Sequence, residues 1–173
     1  VPTHNIRVSG CTLSSEWGAI KFGTESMGDM YAIDIRNCVI RDNLGGGIKI
    51  LSVDGANIHD VFIDSITMED VDMPIFVRLG ERLRTYRGAE QQAVGSINNI
   101  RLSNIHATAR DTASSRVNPP SGVFITGTPD HKIGRVELSN LSIMLPGGGT
   151  EIAELKVPDL VDKSPEYIPF GVL

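Results

Sequence analysis

Aromatic residues are scarce, 5% of the chain with a single tryptophan, and positive charge is in deficit, 16 Lys and Arg against 21 Asp and Glu. A nucleic-acid binder usually shows the reverse balance and a basic stripe, so that class of partner is set aside. Long apolar runs are also missing. None approaches the ~20 residues a helix needs to span a bilayer, so no membrane segment is expected. The opening Val1-Pro2-Thr3-His4-Asn5 has no basic stretch followed by an apolar one. No signal peptide is read there, and the chain is either cytosolic or begins inside a longer one. Two cysteines, Cys11 and Cys38, make no disulfide framework.

What the chain does have is glycine, 18 residues of it, and a repeat. Five eight-residue segments share one pattern: Ile6-Arg-Val-Ser-Gly-Cys-Thr-Leu13, Ile33-Asp-Ile-Arg-Asn-Cys-Val-Ile40, Val61-Phe-Ile-Asp-Ser-Ile-Thr-Met68, Ile100-Arg-Leu-Ser-Asn-Ile-His-Ala107 and Val136-Glu-Leu-Ser-Asn-Leu-Ser-Ile143. Positions one, three, six and eight are apolar, and position five is Gly, Asn, Ser, Asn, Asn. The step from three to six breaks strict alternation. A strand turning a corner at a small polar residue has that effect, because the next apolar side chain then points inward again.

Successive starts lie 27, 28, 39 and 36 residues apart. A coil of a β-solenoid takes about 20–30 residues, with extra length in outward loops. A second short strand follows each of four motifs: Ala19-Ile-Lys-Phe-Gly23, Gly47-Ile-Lys-Ile-Leu51, Pro74-Ile-Phe-Val-Arg-Leu-Gly80 and Gly122-Val-Phe-Ile-Thr-Gly127. No segment has a period of 3.6, which argues against a repeat with helices. The expected fold is all-β, a single-stranded right-handed parallel β-helix of about five coils over residues 1–150. Residues 151–173, with several prolines, are expected to form an extended tail packed on it.

Stacking in register gives the remaining features a place. Cys11 and Cys38 share position six and are expected one above the other, about 4.8 Å apart, as reduced core thiols. Asn37, Asn104 and Asn140 are expected to form a structural amide ladder at the corner. In the second strands Ile20, Phe22, Ile48, Ile50, Ile75, Val77, Val123 and Ile125 are assigned inward. Lys21 and Lys49, then Phe76 with Arg78 and Phe124 with Thr126, are assigned outward. Two lysines on neighbouring rungs repel unless an anion compensates. With Arg82, Arg84 and Arg87 just beyond, this column reads either as a binding strip for an acidic sugar polymer or as an ordinary solvated face.

No Asp or Glu lies on that outward column, although hydrolysis of a glycosidic bond normally needs two carboxylates. Glu25 and Asp54 follow the first two of these strands, in turns expected side by side, as site acids or as turn-capping ones. Trp17 either stacks on a sugar ring or covers an open end. The histidines His4, His59, His106 and His131 have no partner at a catalytic or metal-ligand spacing, so no metal site is read.

The run from Cys11 to Ser26, Cys-Thr-Leu-Ser-Ser-Glu-Trp-Gly-Ala-Ile-Lys-Phe-Gly-Thr-Glu-Ser, resembles the bacterial branch of family 28 glycoside hydrolases, the polygalacturonases and rhamnogalacturonases. So do Ser52-Val-Asp-Gly55, Pro74-Ile-Phe-Val-Arg-Leu-Gly80, Pro146-Gly-Gly-Gly-Thr150 and Val157-Pro158-Asp159 leading into Pro169-Phe-Gly171. The resemblance implies an extracellular or periplasmic β-helix that cleaves pectic polymers with inversion, using aspartates and no cofactor. Of the family's signatures, the Asn-Thr-Asp and Asp-Asp motifs are absent from this chain. Trp17-Gly18-Ala19 stands where Gly-His-Gly is expected. Gly47-Ile48-Lys49 stands for Arg-Ile-Lys, so Lys49 alone carries over, in a substrate-contact role.

The implied function is the substrate-binding wall of a pectin-type hydrolase, with Lys49, Lys21, Arg78, Phe76, Trp17, Glu25 and Asp54 as contact residues and the catalytic acids in coils outside the segment. The alternative is a noncatalytic β-helix that binds polysaccharide or assembles with other chains. A polysaccharide lyase is a third reading, and it lacks the Ca²⁺-binding acids such a site requires. The expected partner is an acidic plant polysaccharide, and a further β-helix segment or a second copy is expected to cover an open end.

Overall fold

The computed structural model describes residues 1–111, 113–114 and 122–147. Among them lie ten strands in two sheets, with every pairing parallel. The large sheet contains β1 (Thr3–Ser9), β2 (Thr12–Leu13), β4 (Met30–Asn43), β6 (Asn57–Val71), β8 (Ser96–Ala109) and β10 (Val136–Met144). The small sheet contains β3 (Ile20–Phe22), β5 (Ile48–Ser52), β7 (Ile75–Leu79) and β9 (Val123–Thr126). The large sheet runs β1-β4-β6-β8-β10, with β2 pairing β4, and the small one β3-β5-β7-β9. Parallel neighbours need a long connection. Here each connection passes through the other sheet, and each return adds the next strand. The expected tail at 151–173 lies outside the described residues.

The eight-residue motif sets the register. Its first positions stack as Ile6, Ile33, Val61, Ile100 and Val136, and its third as Val8, Ile35, Ile63, Leu102 and Leu138. Position six stacks Cys38, Ile66, Ile105 and Leu141. Cys11 stands level with Cys38, since its carbonyl accepts from Val39 N at 2.9 Å and Thr12 pairs Val39. Both thiols are free. Interior members of these columns are closed to solvent, among them Val61, Ile63, Ile66 and Ile100 at 0% exposure. At about 25 cal/mol per Å² of apolar surface, this continuous core is the main force holding the stack together.

The corner at position five is a backbone fact. Gly10, Asn37, Ser65, Asn104 and Asn140 all have left-handed φ, between 51° and 66°. Glycine, asparagine and small polar residues tolerate that region best. One left-handed residue returns the next side chain to the core side, which produces the three-to-six step. The asparagine ladder is shorter than expected. Asn140 donates to Asn104 at 2.7 Å, but Ser65 separates Asn104 from Asn37, and Asn104 turns to Asp64 at 2.8 Å instead. Further bends occur five residues either side of the corner, at Ala32 and Asp42 in β4 and at Asp60 and Asp70 in β6.

Candidate functional site

The small sheet carries the residues singled out from the sequence. Its inner face is Ile20, Phe22, Ile48, Ile50, Ile75 and Val77, all buried, with Val123 half-buried and Ile125 38% exposed at the last strand. Its outer face has two columns in register. One runs Lys21, Lys49, Phe76, Phe124, and the other Leu51, Arg78, Thr126. The two lysines therefore stand on neighbouring strands of one face.

That face is not the open strip expected from alternation. Lys21 is exposed, but Lys49 is 1%, Phe76 0% and Arg78 3% exposed. Leu51, Met73 and Phe76 form a second apolar cluster on this side, with Phe124 packed against it. Strands β5 and β7 are thus buried on both faces, as parallel strands commonly are. The Phe76 and Phe124 rings lie 5.8 Å apart at 52°, and Lys49 Nζ sits 6.0 Å from the Phe76 centroid. A charged group so enclosed is tolerated only when it is well partnered.

Two glycine turns lie against the lysine stems. A Cβ on Gly18 would come 3.1 Å from Lys49 Cδ and 3.4 Å from Lys21 Cδ, and one on Gly46 would come 3.1 Å from Lys49 Cε. Gly46 has φ +134°, which itself favours glycine. Buried side chains fix this second turn. Asp72 Oδ2 accepts from Gly45 N at 2.6 Å, and Asn43 Nδ2 donates to the Gly46 carbonyl at 2.5 Å. In the first turn Ser15 Oγ accepts from the N–H groups of Trp17 and Gly18 at 3.1 and 3.3 Å. Trp17, 47% exposed, is the residue before Gly18 in this turn, and its backbone lies against Gly45 of the second turn.

Arg78, on the second outward column, and the two acids are engaged in contacts of their own. Arg78 Nη1 donates to the Gly127 carbonyl at 2.6 Å and to Thr126 Oγ1 at 3.3 Å, tying β7 to the end of β9. Asp54 is fully buried and clamped. Arg82 reaches it through Nε at 2.9 Å and Nη2 at 2.5 Å, Arg84 N at 3.0 Å and Tyr86 OH at 3.0 Å. Burial alone would raise the Asp54 carboxyl. The hydrogen bonds from Arg82, Arg84 N and Tyr86, together with the Arg82 charge, outweigh it and hold the group below its ordinary 3.8. Asp54 is thus an anchor for the loop after β7, and Arg82 leaves the expected basic strip to serve it. Glu25 is exposed in the neighbouring turn, close enough that its charge helps to raise the Tyr86 hydroxyl. The two turns lie side by side as expected, but they offer one open carboxylate instead of two.

One cluster was not read from the sequence. Glu81 Oε1 accepts from Thr128 Oγ1 at 2.5 Å and meets His131 Nδ1 at 2.8 Å. The Thr128 bond, then the His131 bond, lower the Glu81 carboxyl. The partners are 50 residues apart, and the available signal was positional, since both follow the ends of adjacent strands β7 and β9.

The arrangement can hold a carboxylate at Lys21 and pack an apolar sugar face on Trp17. Among the described residues the outer face of the small sheet carries no carboxylate, and no group of three or more His, Cys, Asp or Glu is placed to hold a metal ion. Compared with known proteins, the chain matches no family model, no curated protein and no solved structure.

Proposed function

We propose that the chain forms about five coils of a right-handed, single-stranded parallel β-helix and serves as the substrate-binding wall of a secreted or periplasmic pectin-type glycoside hydrolase, resembling the polygalacturonases and rhamnogalacturonases. Alternation of the chain between two parallel sheets, with one motif per large-sheet strand, supports the architecture. The observation that carries the function is the in-register pair Lys21 and Lys49 beside the Trp17–Gly18 turn. Lys21 and Trp17 meet the acidic polymer, and Lys49, Phe76 and Arg78 form the packed layer beneath. The acid and base of an inverting hydrolysis come from coils outside this segment.

Calorimetric titration with galacturonate oligomers tests the wall. Lys21→Glu and Trp17→Ala are each expected to weaken binding by about tenfold, the equivalent of ~1.4 kcal/mol. Affinity should also fall as salt is raised, because exposed charges are screened. Unchanged affinity in both variants would sink the proposal.

A noncatalytic polysaccharide-binding or assembly module is favoured by one specific observation, the engagement of Asp54 by Arg82, which removes it as an acid. The readings separate on the reading frame before Val1. Strand turns with Asn-Thr-Asp and Asp-Asp there would establish the enzyme.

A further inference from the structure

The outer face of the large sheet, the other sheet from Lys21, carries a groove of about 420 Å³. Arg36, Phe62, Ile63, Asp64, Arg101 and Ser103 line it, and they come from β4, β6 and β8, the three interior strands of that sheet. Register explains why they meet. Phe62 and Arg101 stand in one outward column, and Arg36, Asp64 and Ser103 stand in the next. Concave sites of about 300–1,000 Å³ with a few converging polar groups are the size that small ligands occupy.

The polar lining groups are held by neighbours and keep capacity for a ligand. Arg36 donates through Nε and Nη2 to Asp34 at 2.5 and 2.7 Å, and Arg101 Nε meets Glu137 at 2.6 Å. Arg36 Nη1 and both Arg101 Nη groups have no hydrogen-bond partner among the described residues. On the rung between the two arginines, Asp64 accepts from Ser103 Oγ at 2.5 Å, Asn104 Nδ2 at 2.8 Å and Ser65 Oγ at 2.9 Å. Those bonds hold its carboxyl below the ordinary 3.8. With about four lone-pair sites, the carboxylate keeps one for a ligand hydroxyl. Phe62, half-buried, adds an apolar wall, with the Arg101 guanidinium 5.5 Å from its ring centroid.

Together these groups select a ligand. Two guanidiniums against one acid leave the lining with one positive charge in excess, and spare donors outnumber spare acceptors. A guanidinium fork matches a planar carboxylate, and an aromatic ring packs the apolar face of a sugar. Asp34 and Glu137 flank the first column, so a second carboxylate beside the first is repelled. We infer that this groove binds one carboxylated sugar, a uronate residue, with its carboxylate on Arg36 and Arg101, its ring against Phe62 and a hydroxyl on Asp64. The inference rests on the acidic-sugar reading of the chain, but on a surface separate from Lys21 and Trp17.

The probe is the methyl glycoside of galacturonic acid, titrated into the whole chain while backbone amide chemical shifts are recorded. Saturable shifts are expected at residues 62–64 and 101–104. The uncharged methyl galactoside should bind there at least about tenfold more weakly, having lost its hydrogen bonds to charged groups. Arg36→Gln and Arg101→Gln should each weaken the uronate about tenfold, while Lys21→Glu should leave these shifts unchanged. Both arginine side chains are about half exposed, at 53% and 52%, and an unchanged circular dichroism spectrum verifies that the variants fold. Absent shifts at these residues, equal binding of the uncharged sugar, or undiminished binding by both arginine variants would overturn the inference. Shifts confined to residues 17–21 would overturn it and leave the wall standing. Shifts confined to the groove would support it and count against the wall.

Discussion

Phe62 and Phe76 both occupy outward positions of strands with period-two alternation, one in the large sheet and one in the small. Phe62 is half-buried beneath the Arg101 guanidinium, 5.5 Å from its ring centroid. Phe76 is wholly buried against Leu51, Met73 and Phe124. Three of the ion pairs divide the same way. Arg36–Asp34 and Arg101–Glu137 on the large sheet keep side-chain exposures of 29–53%, while Arg82–Asp54 beside the small sheet is at 8% and 0%. An outward position in the large sheet is a solvated surface. In the small sheet it is a second packed layer, and the same residue type has a different energetic weight there.

The sharpest way to break this comparison is to truncate both rings. Phe76→Ala is expected to cost about 3–5 kcal/mol in urea unfolding, because it opens a cavity among groups that cannot follow. Phe62→Ala, whose site is already partly solvated, should cost about 1 kcal/mol. Equal losses would show that the sheets are covered alike.

Next comes the clamp. Arg82→Ala leaves the Asp54 carboxylate buried without its cation, and about 3–5 kcal/mol of destabilisation is expected. The acid limb sharpens this. The folded carboxyl of Asp54 lies below its ordinary 3.8. Its contribution is therefore complete above that unfolded value and is lost as pH falls through it toward the folded one. Stability measured from pH 6 down to pH 2 should decline below about pH 4, and Asp54→Asn should flatten that part of the curve.

The smallest effect is expected at Arg36→Ala. This residue is exposed and bound only to its neighbour Asp34, so its urea midpoint should match that of the unaltered chain, as is common for surface pairs. A clear loss would mean that the large sheet's outer charges hold the stack together.

Much of the fold was legible in advance. The columns beginning at Ile6 and Val8, the level cysteines and the corner at position five all follow from one apolar pattern repeated five times, and the inner face of the small sheet from the alternation of four short strands. The neighbouring bends at Ala32, Asp42, Asp60 and Asp70 escaped notice because they lie outside the eight-residue window, and alanine is a poor advertisement for left-handed backbone. Of the site, the alignment of Lys21 with Lys49 was readable, since it depends only on register. The burial of Lys49, Phe76 and Arg78 was not, nor the clamp on Asp54. These depend on the Gly45–Gly46 turn and on a loop that returns Arg82 across 28 residues of chain. The Glu81–His131 contact, 50 residues apart, likewise needed the ends of β7 and β9 to be brought together.

The sequence by itself determined which side chains point inward and where the backbone turns. Apolar residues at fixed spacing leave water together, and few residues besides glycine and asparagine accept the left-handed corner readily. The tertiary structure alone decided which outward side chains meet solvent. Alternation assigns a residue to a face, but the loops and turns that come to rest on that face determine whether it stays wet.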